Sequence, residues 1–523
     1  MPVSSTLAER PQEPLILQVR EVLAEEPKLP LPVQARRDDL LAYYGDDSSM
    51  PLWIGTGNMA KLLDRLGRAS LDGLNPESYP LEFLEDLSDE ARTAPAPRLA
   101  EIELWYTAHF LRYAEDLKTG RVVPRMVHPD AYMPRKAIIG VNVLTALQQL
   151  GDVSVFFNAW EPYNPTYRRL REHLAAFQDM AVTGGFVQLP PGRDVETGET
   201  DSRIPLLRRR LAAEGLIGST TGDAVLDDGL VTALRKAQHR YGLAETGKLD
   251  AATVIALNIP IERRIEQIEL AMERQRWLPE LIQGITLLID KEQGKLQLIE
   301  NGRLRKTLEV FPNCPDRLGV IRAAALKEIA LNPAWNVPAG YLGETLLPLL
   351  KKDPAALAKQ GFRLSWKGAE VPLASLPWKD ISEREISIRQ DDIRLSLAPG
   401  PANPLGTFLI RFEGTSDMFI HALAEAPQDG SRCDMALPST AFGIVGGLDF
   451  VAELIDPRLL PVTGLKELIA RGSAVTFPAR QNAMAIALFQ SAWIDERGDI
   501  RFGHDVNGED RRLRQALVGR FTG

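Results

Sequence analysis

Two residues in the C-terminal half of the chain have side chains suited to acyl transfer. His421 ends the apolar string Phe419-Ile420-His421, and Cys433 follows twelve positions later in DGSRCDM, beside Arg432. An imidazole can take the proton of a nearby nucleophile, and a neighbouring guanidinium lowers a thiol pKa, so the pair could form and resolve a thioester. The plainer readings are a structural strand histidine and an ordinary loop cysteine. Beyond them lies Leu437 to Leu448, LPSTAFGIVGGL, which has no cysteine at all. Its hydroxyls, Ser439 and Thr440, would need an adjacent base and an oxyanion hole to act as nucleophiles, and turn or capping roles compete. Its glycines, Gly443, Gly446 and Gly447, lack the strand, helix and later acid of a nucleotide-binding loop.

No other chemistry stands out. The only other cysteine is Cys314, in PNCPD, and a single Cys314–Cys433 bridge is open. The six histidines never fall at HExxH spacing, so neither a metal nor a cofactor is expected. A net charge of -9 disfavours nucleic acid as a partner, since phosphate binding needs a basic face. The run Arg208-Arg209-Arg210 lies in a helical pattern and is expected on a solvated face.

The elements around these residues divide the chain. Its 523 residues exceed one hydrophobic core and imply three or four domains. Residues 1–35 are expected to be a flexible lead. Residues 36–185 have helical apolar spacing in LLAYYGDD, MAKLLDRLGRAS, LAEIELWYTAHFLRYAEDL and VLTALQQLGDVSVFFNAW. Residues 200–260 form a three-helix module, with Asp227 or Asp228 and Asp250 as N-caps and Gly242 ending its second helix. A connecting helix occupies 261–283. From 284 the period switches to two, with turns at Gly294 and Asn301-Gly302, a helical insertion at about 340–385, strands again over 386–421, and a mixed end over 448–520 in which LDFVAELI, TGLKELIARG and EDRRLRQALVGRF read as helices; 284–523 is taken as one domain. NAMAIALFQSAWI is expected to be one strand. The fold class is α+β and multidomain. The N-terminus has no apolar signal-peptide core and no run is long enough to span a membrane, which taken literally means cytosolic.

Several strings, in order, resemble large multidomain L,D-transpeptidases with a YkuD-type catalytic domain. They are DLKTGRVVP (116–124), ERQRWLP (273–279), ALNPAWNVPAG (330–340), APGPANPLGTFLIRF (398–412) and AWIDERGDIRFGHDVNGED (492–510), and the module resembles a peptidoglycan-binding fold through Gln238, Gly242-Leu243, Thr246-Gly247 and Thr253. The resemblance covers roughly 36–520. It implies a bacterial cell-wall protein of the periplasm or envelope, with any signal peptide trimmed, acting on peptidoglycan or its stem peptides, and a capping subdomain at 340–385. In that family a strand histidine is followed by a Ser-(His/Ser)-Gly-Cys-x-Arg run whose thiolate attacks the donor peptide.

Here His421 matches the histidine and the rest of the pattern fails. Alignment on Gly443 puts Ile444 at the cysteine and Gly446 at the arginine. A shift of one residue puts Val445 and Gly447 there, and alignment on Ser439-Thr440 puts Phe442 and Ile444 there. None of these is a nucleophile. The leading expectation is therefore a pseudoenzyme that binds peptidoglycan or an envelope partner. Two alternatives remain: an active transpeptidase using Cys433 and His421, and an assembly scaffold acting through the helical N-terminal domain. Trp335, Trp366 and Trp378 flank the capping region and could line a groove for glycan or stem peptide, with core packing as the competing role.

Overall fold

The structure is a computed structural model that describes residues 13–25, 28–127, 133, 136–162, 164–279, 283–291, 293–314, 322–414, 418–427, 434, 436–438, 440–460, 464–505 and 508–519. Its helical first part, three-helix module and β-rich last part have the multidomain organisation that the sequence patterning implies.

The first part is built round the helix Ala96–Thr119, whose residues 102–111 are almost all buried. Within the segment expected as a flexible lead, Glu13–Ala24 is helical and buries Ile16, Val19 and Leu23 in the same core. The spacing 16, 19, 23 is an amphipathic stripe that the surrounding Pro and Glu residues disguise. The helix expected through VLTALQQLGDVSVFFNAW is two helices, Gly140–Leu150 and Val153–Trp160. Gly151 breaks it at φ +69°, and the Asp152 carboxylate accepts the N–H groups of Ser154 and Val155.

In the module, Asp227 and Asp250 cap their helices as expected. Gln238 is buried and fully used: Nε2 donates to Thr246 Oγ1, Lys248 O and Thr253 Oγ1, each at 3.0 Å, and Oε1 accepts the Gly247 N–H at 2.8 Å. The arginine run corrects its expectation. Arg209 is exposed, but Arg208 and Arg210 are buried. Arg210 donates to Leu257 O and Tyr241 Oη, pairs with Glu214, and lies 3.3 Å over the Phe186 ring. Positions 204, 207, 208 and 211 share the inner face of this helix, and two guanidiniums on that side find carboxylates, Glu214 for Arg210 and Asp227 for Arg208.

The helix Ile261–Trp277 leads into a ten-stranded sheet. Gly294 and the Asn301-Gly302 pair, all at positive φ, turn the meander Ile285–Asp290, Lys295–Glu300, Arg303–Glu309. The last of these forms one end of the sheet. One residue later the chain re-enters as Phe311–Pro312 at the opposite end, against Ala441–Val445, so the sheet rolls into a near-barrel.

The insertion expected to be helical is mixed. Helices at Leu347–Lys352 and Pro354–Lys359 pack against a four-stranded sheet of Trp335–Asn336, Ile393–Leu397, Phe362–Trp366 and Ala369–Val371. Lys367-Gly368, both at positive φ, close a hairpin that helical periodicity concealed. Glu383–Ile388 is a helix that crosses from the insertion expected to be helical into the stretch expected to be strand, begun by a Ser382–Glu385 capping box. NAMAIALFQSAWI is two strands. Ala483–Leu488 lies in the large sheet, whereas Ala492–Ile494 pairs with Ile500–Phe502 and leaves it. Phe502 of that hairpin packs on Phe177 and Tyr241, with the Arg264 guanidinium 4.4 Å and 4.8 Å above the Tyr241 and Phe502 rings.

Candidate functional site

His421 sits in a central strand, Phe419–Leu423, between Phe408–Phe412 (antiparallel) and Ala441–Val445 (parallel). The register sets Leu409, His421 and Gly443 in one row, with Leu423 and Val445 in the next on the same side. Alternation sends Ile420, Ala422, Phe442 and Ile444 to the opposite face, into the core of the near-barrel.

Burial governs the histidine. His421 is 2% exposed, and loss of solvent pushes its pKa down to about 4 against smaller upward pulls from the Ala422 and Pro404 carbonyls and the Asp434 carboxylate. One ring nitrogen, Nδ1, lies 3.2 Å from Ala422 O. At neutral pH the ring is uncharged, the state a general base needs. Its surroundings hold no nucleophile among the described residues. The space beside it above Gly443 is filled by Leu423, whose Cδ1 would be 2.4 Å from any Cβ placed on that glycine.

The degenerate positions divide by face. Phe442 and Ile444 are each 1% exposed and point away from His421. Val445 shares the His421 face, about 6.6 Å further along the strand, and is 42% exposed. It borders a cavity of about 330 Å³ with Thr307, Leu308, Glu309, Phe311 and Ala426. Gly446 and Gly447 turn the chain at φ +71° and +83° into the helix Leu448–Leu454. No guanidinium stands at any of the three candidate arginine positions, Gly446, Gly447 and Ile444.

Cys433 and Ser439 lie outside the described residues; Thr440 directly precedes the strand. Cys314 is buried and disulfide-bonded, and Cys433 is the only other cysteine of the chain.

The tryptophans do not act as one surface. Trp335 and Trp378 are inside the core of the capping region, Trp335 edge-on to Tyr341 and Phe362, and Trp378 donating Nε1 to Leu373 O at 2.5 Å. A groove role for these two is corrected to core packing, because both rings are buried, at 5% and 3% exposure. Trp366 is half-buried, with Arg389 4.5 Å and Lys367 5.7 Å from its ring centre.

Residues in the recognised strings serve as the frame of this face. Asn403 is buried, donates Nδ2 to Pro333 O at 2.8 Å and accepts the Leu405 N–H. Asn332, at φ +45°, donates to the carbonyls of Leu468, Ile469 and Ser473, closing the end of the helix Gly464–Ala470. Gly406 passes so near the His421 strand that a Cβ there would meet Ala422 O at 2.4 Å. Sequence reasoning missed Leu423; neither type nor spacing marks it.

Parts of the chain are similar to known proteins. A family described as "Scaffold domain" matches residues 38–174, and one described as "Putative peptidoglycan binding domain" matches residues 200–257. A curated relative, "Putative L,D-transpeptidase" of Haemophilus influenzae (strain ATCC 51907 / DSM 11121 / KW20 / Rd), is 24% identical over 256 residues, 48% of this chain and 50% of its own length. The chain thus spans about half the length of the curated relative it matches. The solved L,D-transpeptidase (residues 123-326) from Xylanimonas cellulosilytica DSM 15894 aligns over 58% of this chain and 100% of its own, at 12% identity and a TM-score of 0.15. The chain is accordingly a homologue of a protein described as an L,D-transpeptidase, and it carries a module similar to the peptidoglycan-binding family.

Proposed function

We propose that this chain is a cell-wall protein of the L,D-transpeptidase type that binds peptidoglycan without crosslinking it. One observation carries the proposal: where the motif alignment calls for a thiolate, Ile444 stands, buried and pointing away from His421. The same alignment puts Gly446, which has no side chain, at the arginine. Leu423 fills the space beside the imidazole, so an attacking sulfur and a donor carbonyl have no room there.

Stem peptides and glycan are the proposed ligands, through the module at 200–257 and the half-buried ring of Trp366. The bonded state of Cys314 supports an oxidising compartment such as the periplasm.

Intact-protein mass spectrometry after incubation with a carbapenem tests the proposal, alongside co-sedimentation with purified peptidoglycan. Binding to the sacculus with no mass increase is the expected result. A covalent adduct that disappears in Cys433→Ala would overturn it in favour of an atypical transpeptidase.

A second reading, an assembly scaffold acting through the helical N-terminal part, is favoured by the exposed apolar side chains there, Met50, Ile139 and Leu150 among them. A protein partner captured by the full chain and lost on deleting residues 36–180 would support it.

A further inference from the structure

Asp116 holds an unused carboxylate oxygen beside a small polar cavity, far in sequence from His421. It lies near the end of the helix Ala96–Thr119 and is 7% exposed. Its Oδ2 accepts the Tyr79 hydroxyl at 3.1 Å, and Oδ1 has no hydrogen-bond partner among the described residues. Asp116, Thr119, Gly120, Arg121, Lys136 and Trp277 are among the residues that line the cavity, which measures about 60 Å³. That is room for about four water-sized groups, the size of a small polar end group rather than a sugar ring. Thr119 lines the same space. It spends its hydroxyl proton on Glu115 O at 3.0 Å or Gly120 O at 3.2 Å, which leaves its oxygen as a second acceptor.

The charges around Asp116 do not offset its burial. Lys136 donates Nζ to Lys118 O at 3.2 Å and Arg276 O at 2.8 Å, so its charge sits on the carbonyl ends of two helices, Ala96–Thr119 and Ile261–Trp277. Glu115 is paired with Arg36. Burial raises the Asp116 pKa to about 6, against downward pulls from Arg121, Arg112 and the Tyr79 hydroxyl and with a smaller upward push from Glu273. What the carboxylate lacks is a donor that carries positive charge.

We propose that this cavity binds a primary ammonium group, which donates to Asp116 Oδ1 and Thr119 Oγ1. An anion is disfavoured there, because it would meet Asp116, Glu273 and the carbonyl ends of two helices. A side-chain amine and an amino terminus offer the same group. The inference stands apart from the reading of the chain as a peptidoglycan binder.

Titration of the full chain, carrying isotope-labelled tryptophan and followed by nuclear magnetic resonance, tests the site. The reporter is the indole N–H of Trp277, which is buried without a partner and lies 3.0 Å from the place a Cβ on Gly120 would take. Trp277→Phe assigns its signal. Ethylammonium is expected to shift that signal saturably. Asp116→Asn, which keeps an oxygen for Tyr79, is expected to weaken binding about ten-fold or more, the loss of one charge-assisted hydrogen bond. Tetramethylammonium, with the charge but no N–H, is expected to leave the signal unmoved. In the wild-type chain the affinity is expected to fall as pH drops through about 6, since protonation neutralises Asp116 while ethylammonium keeps its charge. This pH series tests the site even where Asp116→Asn does not fold. Competition by Nα-acetyl-lysine amide assigns a side-chain amine, and competition by alanine amide assigns an amino terminus. An absent shift, an affinity indifferent to pH or to Asp116→Asn, equal binding of tetramethylammonium, or failure of both amides to compete overturns the proposal.

Discussion

Glu273 and Arg121, 152 positions apart, are joined by a side-chain-to-backbone hydrogen bond: Glu273 Oε1 accepts the Arg121 N–H at 2.6 Å and also the Val122 N–H at 2.9 Å. The turn after the longest helix is thereby tied to the helix that enters the β-rich part. Gly120 makes this approach possible. It sits at φ +83°, and a Cβ on it would meet Glu273 Oε1 at 2.7 Å and the Trp277 ring at 3.0 Å. Two strings that resemble the same family at distant places in the sequence thus touch.

Glu273→Ala is expected to destabilise the protein by about 3–5 kcal/mol, because it strands two buried N–H groups and the buried Arg276 guanidinium. Urea unfolding followed by fluorescence measures it. A loss below about 1 kcal/mol would show that water replaces the carboxylate.

Gly406→Ala combines a φ of +65° with a Cβ 2.4 Å from Ala422 O. A cost of at least about 2 kcal/mol is expected, since the close neighbour is backbone of a central strand and cannot move aside alone. A thermal melt comparable to wild type would contradict the register between this entry loop and the His421 strand.

The ring resonances of His421 are expected to titrate near pH 4, because burial disfavours the imidazolium. Its folded pKa lies below the unfolded value, so the unfolded chain takes up the proton first. Stability is therefore lost as pH falls from about 6.5 towards 4, by about 3 kcal/mol at most. Asp116, buried and pushed up to about 6, works in the opposite direction over the same range. The contribution of His421 is thus the difference in slope between wild type and His421→Phe, and equal slopes would refute it.

Ile444→Cys with Gly446→Arg rebuilds the motif on paper. The new thiol is expected to remain inert to a carbapenem by intact mass, because position 444 faces the core and burial raises a thiol pKa. An adduct on this double variant would show that the strand end rotates in solution.

Phe502→Ala is expected to cost about 3–5 kcal/mol and to loosen the C-terminal hairpin from the helical half, since the ring packs between Phe177, Tyr241 and the Arg264 guanidinium. Limited proteolysis should then cut first within 491–503. An unaltered cleavage pattern would mean that the remaining hairpin contacts suffice, including the bonds Gln267 donates to Ser491 O and Gly503 O.

Period and punctuation made much of this molecule legible in the sequence. Asp227 and Asp250 announced their helices, Asn301-Gly302 announced a hairpin, and Phe419–Leu423 was visible as the strand holding His421, because each depends on neighbours within a few residues. The hairpin at Lys367-Gly368, the break at Gly151 and the inward turn of Arg208 and Arg210 were not legible. Their outcome depends on partners such as Asp392, whose carbonyl accepts the Lys367 N–H, and Glu214. The same division holds at the candidate site. The sequence by itself determined that no cysteine or arginine stands in LPSTAFGIVGGL, a matter of composition. Only the tertiary structure decided that Ile444 and His421 lie on opposite faces, that Leu423 fills the space between His421 and Val445, and that Trp335 and Trp378 are core, because strand register and burial come from pairing across long separations.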